Sequence, residues 1–415
     1  MKKVHVNYIN EWSYPMHRVL LVTQNFYPEI GSGANRYKNI FTLLNKSNIE
    51  ADVLTSEPSY PNASMYKDKT YWNDEFINQH THQIFRIKTL LDKQSKSHLK
   101  RIAYYLEIMK HTYQFVKRHH QNYDTIIVTS PNIFMPLAIV PLKKRLHSEI
   151  ILDIRDLWPD SIYALNVKWI NLFKSLLNFL ERYMYNQSHK IIFNHRGFKN
   201  HILKQLKNKQ KPMLYLPNSI NKDELDAVQV EKVKEFTVFY SGNLGFAQNA
   251  EELLEIAQRL NELNIKFDAI VYGLHANEFR EQVGALNLKN VNIYHVLPRL
   301  DCLKFMKARH VSLSLLIEDD IFMNILPGKI IDSISLGVPV ISNIGNEARD
   351  MINGNMLGYA KEKATVDEII NRIESLRYDK ELYDAYCQHC LDYTTHHFIW
   401  DNNIKALIEL INKEN

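Results

Sequence analysis

The chain of 415 residues is expected to fold as an α/β protein of two domains facing each other across a cleft. Three observations carry this. Short β-branched runs alternate with helical patterns along nearly the whole chain. The order strand, glycine-rich loop, helix occurs twice, from His17 and again from Phe236, so each half opens like a Rossmann-like domain. Finally, 415 residues exceed one typical core but fit two domains of about 200 each. The expected boundaries are an arm over 1–16, domains over 17–220 and 221–397, and a closing helix over 398–415.

Composition narrows the class. The 45% hydrophobic content and 12 scattered glycines belong to a globular protein, and a net charge of +5 is too mild for an overall nucleic-acid binder. No run of about 18 uncharged apolar residues exists, and the best window, Thr125–Leu142, is broken by three prolines, so no membrane-spanning helix is expected. The N-terminus lacks the apolar core of a signal peptide, which points to the cytoplasm, and three cysteines suit a reducing compartment. Cys387, Cys390, His396 and His397 have the count for a zinc site. They fall on a helical pattern with no turn to wrap a metal, so a structural reading is preferred.

In the first half, the strand His17–Thr23 leads into Gly31-Ser32-Gly33, with Asn35 and Arg36 opening a helix over Asn35–Asn45. Small residues here let the backbone approach a sugar or phosphate, although a plain tight turn explains the glycines nearly as well. Strands are expected at Glu50–Thr55, Ile84–Ile87, Tyr123–Thr129 and Lys190–Asn194, with helices at Lys93–His119 (a pair), Phe134–Arg145 and Val167–Gln187. Arg86–Arg118 holds nine Lys or Arg against Asp92 and Glu107, interleaved with apolar residues. Lys96, Lys100, Arg101 and Lys110 on such a face suit an anionic membrane surface, and a solvated outer helix would look the same. Three acids and an arginine (Asp153, Arg155, Asp156, Asp160) crowd the end of the strand at Ile150, where α/β sheets place ligand chemistry.

The second half repeats the opening with Gly242, Asn243 and Gly245 in its first turn. Strands follow at Phe267–Tyr272, Val291–His295 and Val311–Ile317, with helices at Leu303–Ala308, Ala364–Tyr378, Lys380–Asp392 and Asp401–Asn412. The central stretch is Pro327–Ile341. Pro327 and Gly328 form a loop, Lys329–Leu336 has helical spacing, Gly337 stops the helix, and Val338–Ile341 reads as a buried parallel strand. The helix N-terminus with Lys329 beside it is an anion site, and Asp332 one turn on can accept hydrogen bonds from sugar hydroxyls.

These stretches resemble family 4 retaining glycosyltransferases of the GT-B fold. Pro327–Val340 is similar to that family's nucleotide-sugar segment, with Asp332 where the family has Glu and Asn324 where many members carry another acid. Ile154–Ser161 resembles the signature of bacterial members that build surface polysaccharides, and Pro217-Asn218-Ser219 the run that closes their first domain. Asn243 and Gln248 stand where many members place a basic pair, as in a subgroup with the same swap. The resemblance implies a cleft between two domains, a last helix returning to the first, and transfer of a sugar from a UDP-linked donor without a metal or other cofactor. It implies donor contacts from Gly242, Asn243, Gly245, Arg299, Asn324, Pro327, Gly328, Lys329 and Asp332, with Lys329, Arg155 and Asp156 at the chemistry. It places Gly31, Ser32, Gly33, Asn35 and Arg36 on the acceptor side. The acceptor it implies is a lipid-linked saccharide, reached from the inner face of the cytoplasmic membrane. Two rivals are a UDP-sugar 2-epimerase and a non-catalytic sugar-nucleotide-binding subunit of a polysaccharide assembly complex.

Overall fold

The computed structural model describes residues 17–91, 93, 97–159, 173–319 and 322–413. The arm expected over 1–16, Lys96, Asp160, Ser161 and the start of the helix expected from Val167 lie outside these, as does the side chain of Asn324.

The first domain is a parallel sheet in the order β3-β2-β1-β4-β5-β6-β7. Its strands are β1 (Arg18–Val22), β2 (Glu50–Ser56), β3 (Ile84–Ile87), β4 (Thr125–Ser130), β5 (Glu149–Ile154), β6 (Lys190–Phe193) and β7 (Met213–Tyr215). Alternate residues of the central strands face opposite layers. Leu20, Ile126, Ile150 and Leu152 pack under α3 (His98–His119), α4 (Phe134–Ile139), α5 (Lys174–Gln187) and α6 (Phe198–Gln205). Leu21, Ile127 and Ile151 pack under α1 (Ser32–Lys46) and α2 (Glu75–Gln79). A sheet covered on both faces needs apolar residues at every strand position, which explains the uninterrupted β-branched runs.

The second sheet runs β10-β9-β8-β11-β12-β13, again parallel. A short α7 (Lys222–Ala227) precedes it. Its strands are β8 (Thr237–Asn243), β9 (Lys266–Tyr272), β10 (Val291–Tyr294), β11 (Val311–Ser314), β12 (Val340–Ser342) and β13 (Gly358–Ala360). The helices are α8 (Ala250–Glu262), α9 (Ala276–Ala285), α10 (Arg299–Lys307), α11 (Gly328–Ser335), α12 (Asn346–Gly354), α13 (Val366–Tyr378) and α14 (Lys380–His397). The chain then recrosses. Ile220 and Ile399 form a parallel bridge, with Ile220 N–H on the Phe398 carbonyl (2.9 Å) and Trp400 N–H on the Ile220 carbonyl (3.0 Å). The last helix, α15 (Trp400–Asn412), buries Trp400, Ile404, Leu407 and Ile411 in the core of the first domain. The buried Lys190 ammonium donates to the carbonyls of Leu410 and Lys413, a cation at the negative end of that helix.

Several elements differ from expectation. The helix after β1 starts at Ser32, so Gly33 lies inside its first turn rather than in the loop. One helix, α3, replaces the expected pair. The helix from Phe134 ends at Ile139 and tightens into a 3₁₀ turn over Val140–Leu142, because Pro141 has no N–H to continue the ladder. The strand expected from Val338 starts at Val340, beyond Pro339. A capping box between Thr365 and Glu368 sets the start of α13. Sequence patterning did not reveal α12 or the three-residue β13.

One buried ion pair holds the crossing in place. Arg36, on α1, donates to both carboxylate oxygens of Asp153 at the end of β5 (2.9 and 3.0 Å), and Tyr37 adds its hydroxyl at 3.1 Å. The same guanidinium reaches the Leu216 carbonyl (2.9 Å) and Asn218 (3.3 Å) at the domain crossing. Both side chains are shut off from solvent. Arg36, expected on the acceptor side, thus lines the cleft and also clamps Asp153 beneath it. Asp153→Ala would strand a buried guanidinium, and is expected to cost about 3–5 kcal/mol in urea unfolding. A loss below about 1 kcal/mol would show that the pair contributes little to stability.

Candidate active site in the interdomain cleft

The C-terminal ends of both sheets face each other, as the expected crevice of parallel α/β sheets requires. Between them lies a cavity of about 300 Å³, lined by Tyr27–Ser32 and Asn35 from the first domain and by Ser241–Asn243, Tyr272, Val296–Arg299, Gly328, Lys329 and Asp332 from the second. The domains meet closely here. A Cβ on Gly328 would lie 3.0 Å from Ser32 Oγ, which itself accepts from Asn218 Nδ2 at 2.8 Å. Of the expected residues, the fold therefore brings Gly31, Ser32, Asn35, Arg36, Gly242, Asn243, Arg299, Gly328, Lys329 and Asp332 to the walls of one cavity.

Lys329 is the unusual member. Its Nζ is buried 3.9 Å above the Tyr240 ring and has no hydrogen-bond partner. Desolvation brings its ammonium down to about 7. A cation–π contact offsets only part of the desolvation of an ammonium, so a site of this kind is incomplete without an anion. Gly242, in a left-handed conformation (φ 149°), makes room for it: a Cβ there would stand 3.1 Å from Lys329 Nζ. Pro327 caps α11 without a side-chain bond, so the first amides of that helix add to the anion site.

The turn after β8 is ordered by the two residues that replace a basic pair. Gln248 Oε1 accepts from Gly245 N–H (2.9 Å), and the Asn243 side chain leans on Gly245 and Gly273. The Tyr240 hydroxyl closes the turn on the Asn243 carbonyl at 2.7 Å. Gly245 is thus spent on the turn and is not a free donor for phosphate. Arg299 also lines the cavity. It binds both oxygens of Asp332 (2.7 and 2.8 Å) and faces Glu224 at 3.4 Å, so two carboxylates already match its charge. Glu224 also meets Lys38 (3.3 Å), and Lys38 meets Asp74 (3.3 Å), making one charge chain from the first domain to the second. Burial alone would raise Glu224, yet Arg299 and Lys38 outweigh it and bring the carboxyl down to about 2. Sequence reading does not single out Glu224, Tyr240, Tyr272 or Lys38, because none belongs to a local pattern that marks a site.

Arg155 and Asp156 stand behind the cavity rather than on its wall. The Arg155 guanidinium packs on Gly33, where a Cβ would come within 2.4–2.7 Å of it, so a larger residue there would have to displace the guanidinium. Burial pushes the Asp156 carboxyl up, and Arg155 offsets part of that. Arg155 thereby backs the start of α1 at Gly33. Among the described residues no group of three or more His, Cys, Asp or Glu could hold a metal ion, and Cys387 and Cys390 lie within α14.

By sequence, residues 221–389 match the family model described as glycosyl transferases group 1. That match covers most of the second domain. No curated protein matches the chain by sequence. Solved structures match it over nearly its whole length, though at low identity. Sucrose-phosphate synthase from Thermosynechococcus elongatus superposes with TM-score 0.72 at 12% identity, covering 95% of this chain and 98% of its own. Anabaena Alr3699/HepE in complex with UDP and glucose gives 0.68 at 11%, with coverages of 95% and 99%. WaaG, a glycosyltransferase involved in lipopolysaccharide biosynthesis, gives 0.66 at 14%, with 95% and 100%. The fold is GT-B. Lys329 and the N-terminus of α11, both within the matched stretch, lie at the floor of the cleft.

The low value of Lys329 makes nucleotide binding proton-linked. A diphosphate against the ammonium would hold a proton that the free protein loses above pH ~7, so UDP affinity should fall as pH rises above that point. Binding near pH ~8 should take up a proton, so calorimetric heats should scale with the ionisation enthalpy of the buffer. Equal heats in phosphate and Tris would place Lys329 out of reach of the phosphates.

Proposed function

We propose that the protein is a family 4 retaining glycosyltransferase that moves a sugar from a UDP-sugar to a lipid-linked saccharide acceptor in cell-surface polysaccharide synthesis. The observation that carries this is the buried, unpartnered Lys329 at the N-terminus of α11, inside a cleft lined by both domains. In such a transfer the bond from the sugar's anomeric carbon to the diphosphate breaks. The acceptor hydroxyl oxygen forms the new bond on the same face, and its proton leaves with the diphosphate. The protein's task is to stabilise the charge that grows on that leaving group, which a desolvated ammonium and free helix amides can do at little reorganisation cost. With Arg299 matched by Glu224 and Asp332, Lys329 is the cation assigned to that task.

Asp332, held by Arg299, is assigned to the ribose hydroxyls. A carboxylate in a bidentate pair keeps lone pairs for such donors. The resemblance of Ile154–Ser161 to enzymes that extend lipid-linked saccharides supports the acceptor class. UDP-bound HepE and the lipopolysaccharide enzyme WaaG, both of this fold, are compatible with it.

The test is release of UDP from a panel of UDP-sugars with a lipid-linked acceptor. Lys329→Ala should lower turnover by about 10²–10³-fold, the loss usual for one preorganised electrostatic contact. Turnover at the parent rate would overturn the assignment. Inversion of the free sugar nucleotide without UDP release would mark an epimerase, and UDP-sugar binding without turnover a non-catalytic subunit. In a separate experiment, activity should persist in excess chelator. Loss of turnover restored by Mg²⁺ or Mn²⁺ would show that a metal takes part.

A further inference from the structure

The carboxylate assigned to the ribose is held by a relay that begins in the other domain. Asp332 stands in α11, and its two oxygens accept from Nη1 and Nη2 of Arg299 at 2.7 and 2.8 Å. Arg299 is the first residue of α10. The adjoining edge of the same guanidinium, Nε and Nη2, faces the two oxygens of Glu224, each at 3.4 Å. A guanidinium is a planar fork. One engaged edge lets it turn with its partner, whereas two engaged edges fix its plane.

Glu224 belongs to α7, and α7 is fastened to the first domain. The Glu224 carboxylate meets Lys38 of α1 at 3.3 Å, and Asn221 at the start of α7 donates to Asn39 of α1 at 3.1 Å. Lys38 in turn meets Asp74 at 3.3 Å. The side chain of Glu224 is only 11% exposed, so water screens its two ion pairs far less than pairs on an open surface. On the other side of α7, Leu225 packs against the second domain around Leu303. Glu224 therefore sits where the domains join, with one cation from each. Without its charge, Lys38 would keep Asp74, Arg299 would keep Asp332, and the two pairs would no longer be linked.

Granted the ribose assignment of Asp332, on which this rests, we propose that Glu224, backed by Lys38, is a positioning residue that aims Asp332 through Arg299. Recognition of the sugar of the nucleotide in the second domain then depends on a side chain of the first. A carboxylate already aimed at the cavity takes a diol without first having to order two long side chains, and that ordering is a real cost of binding. The same arrangement explains why Arg299 carries two carboxylates when one would match its charge: one meets the ligand and the other fixes the guanidinium.

Calorimetry with UDP and with 2′,3′-dideoxy-UDP, which lacks both ribose hydroxyls, decides it. The parent should bind UDP about tenfold or more the tighter, and Asp332→Ala should bind the two alike. Glu224→Gln, nearly the same shape but uncharged, should lower that discrimination about fivefold. Its affinity for dideoxy-UDP should stay at the parent value, which shows that the variant is folded. Lys38→Met should lower the discrimination about twofold. The double variant should discriminate no worse than Glu224→Gln alone, because the two residues act in series. Equal weakening of both nucleotides in Glu224→Gln would mark a structural role and overturn the proposal. So would parent-like discrimination in Glu224→Gln or in Lys38→Met beside its loss in Asp332→Ala. A parent that binds both nucleotides alike, or an Asp332→Ala variant that still separates them, would instead remove the ribose assignment, and the positioning role with it.

Discussion

Two sheets can share one cleft only if the chain between them crosses at a fixed place, and the buried guanidinium of Arg36 sets that place. It joins the first helix, the end of β5 and the backbone at Leu216, so the glycine loop, the acidic run and the domain crossing are mutually positioned by one group. Trp400 packs over the same guanidinium at 5.6 Å, which adds the returning helix to the assembly. A buried ion pair is a poor way to gain net stability, since its desolvation offsets most of its attraction. Its value here is geometric. Hydrogen bonds of this kind admit one arrangement, whereas apolar contacts would tolerate several.

The electrostatics of the cleft follow a division of labour. Carboxylates and cations along Asp74, Lys38, Glu224, Arg299 and Asp332 alternate, so each of the three inner charges has a partner on either side and the chain spans both domains. Lys329 is left out of it, with an aromatic face beneath and no carboxylate in contact. A cation held this way is costly in the empty protein and most useful when an anion arrives, which is the character of a site built for a ligand rather than for stability. The replacement of a basic pair by Asn243 and Gln248 fits the same scheme, because those side chains shape the turn and leave the charge to one lysine.

Much of this was legible in the residues themselves. Alternation of β-branched runs with helical periodicity determines a parallel α/β architecture, because a sheet covered on both faces must be apolar throughout, and the two glycine turns mark where each domain begins. The stretch from Pro327 to Ile341 likewise announces its loop, helix and strand, since proline, glycine and spacing act locally. What only the tertiary structure decided is which charges meet. Arg36 and Asp153 are 117 residues apart, Arg299 and Asp332 33, and Arg299 and Glu224 75, and no local rule pairs them. Hence Arg36 and Arg299, both read as cleft residues, line the cleft and prove matched by carboxylates, whereas Lys329 has no hydrogen-bond partner among the described residues. Secondary structure follows from neighbours along the chain, but the charge state of a cleft depends on what the fold brings within a few ångströms.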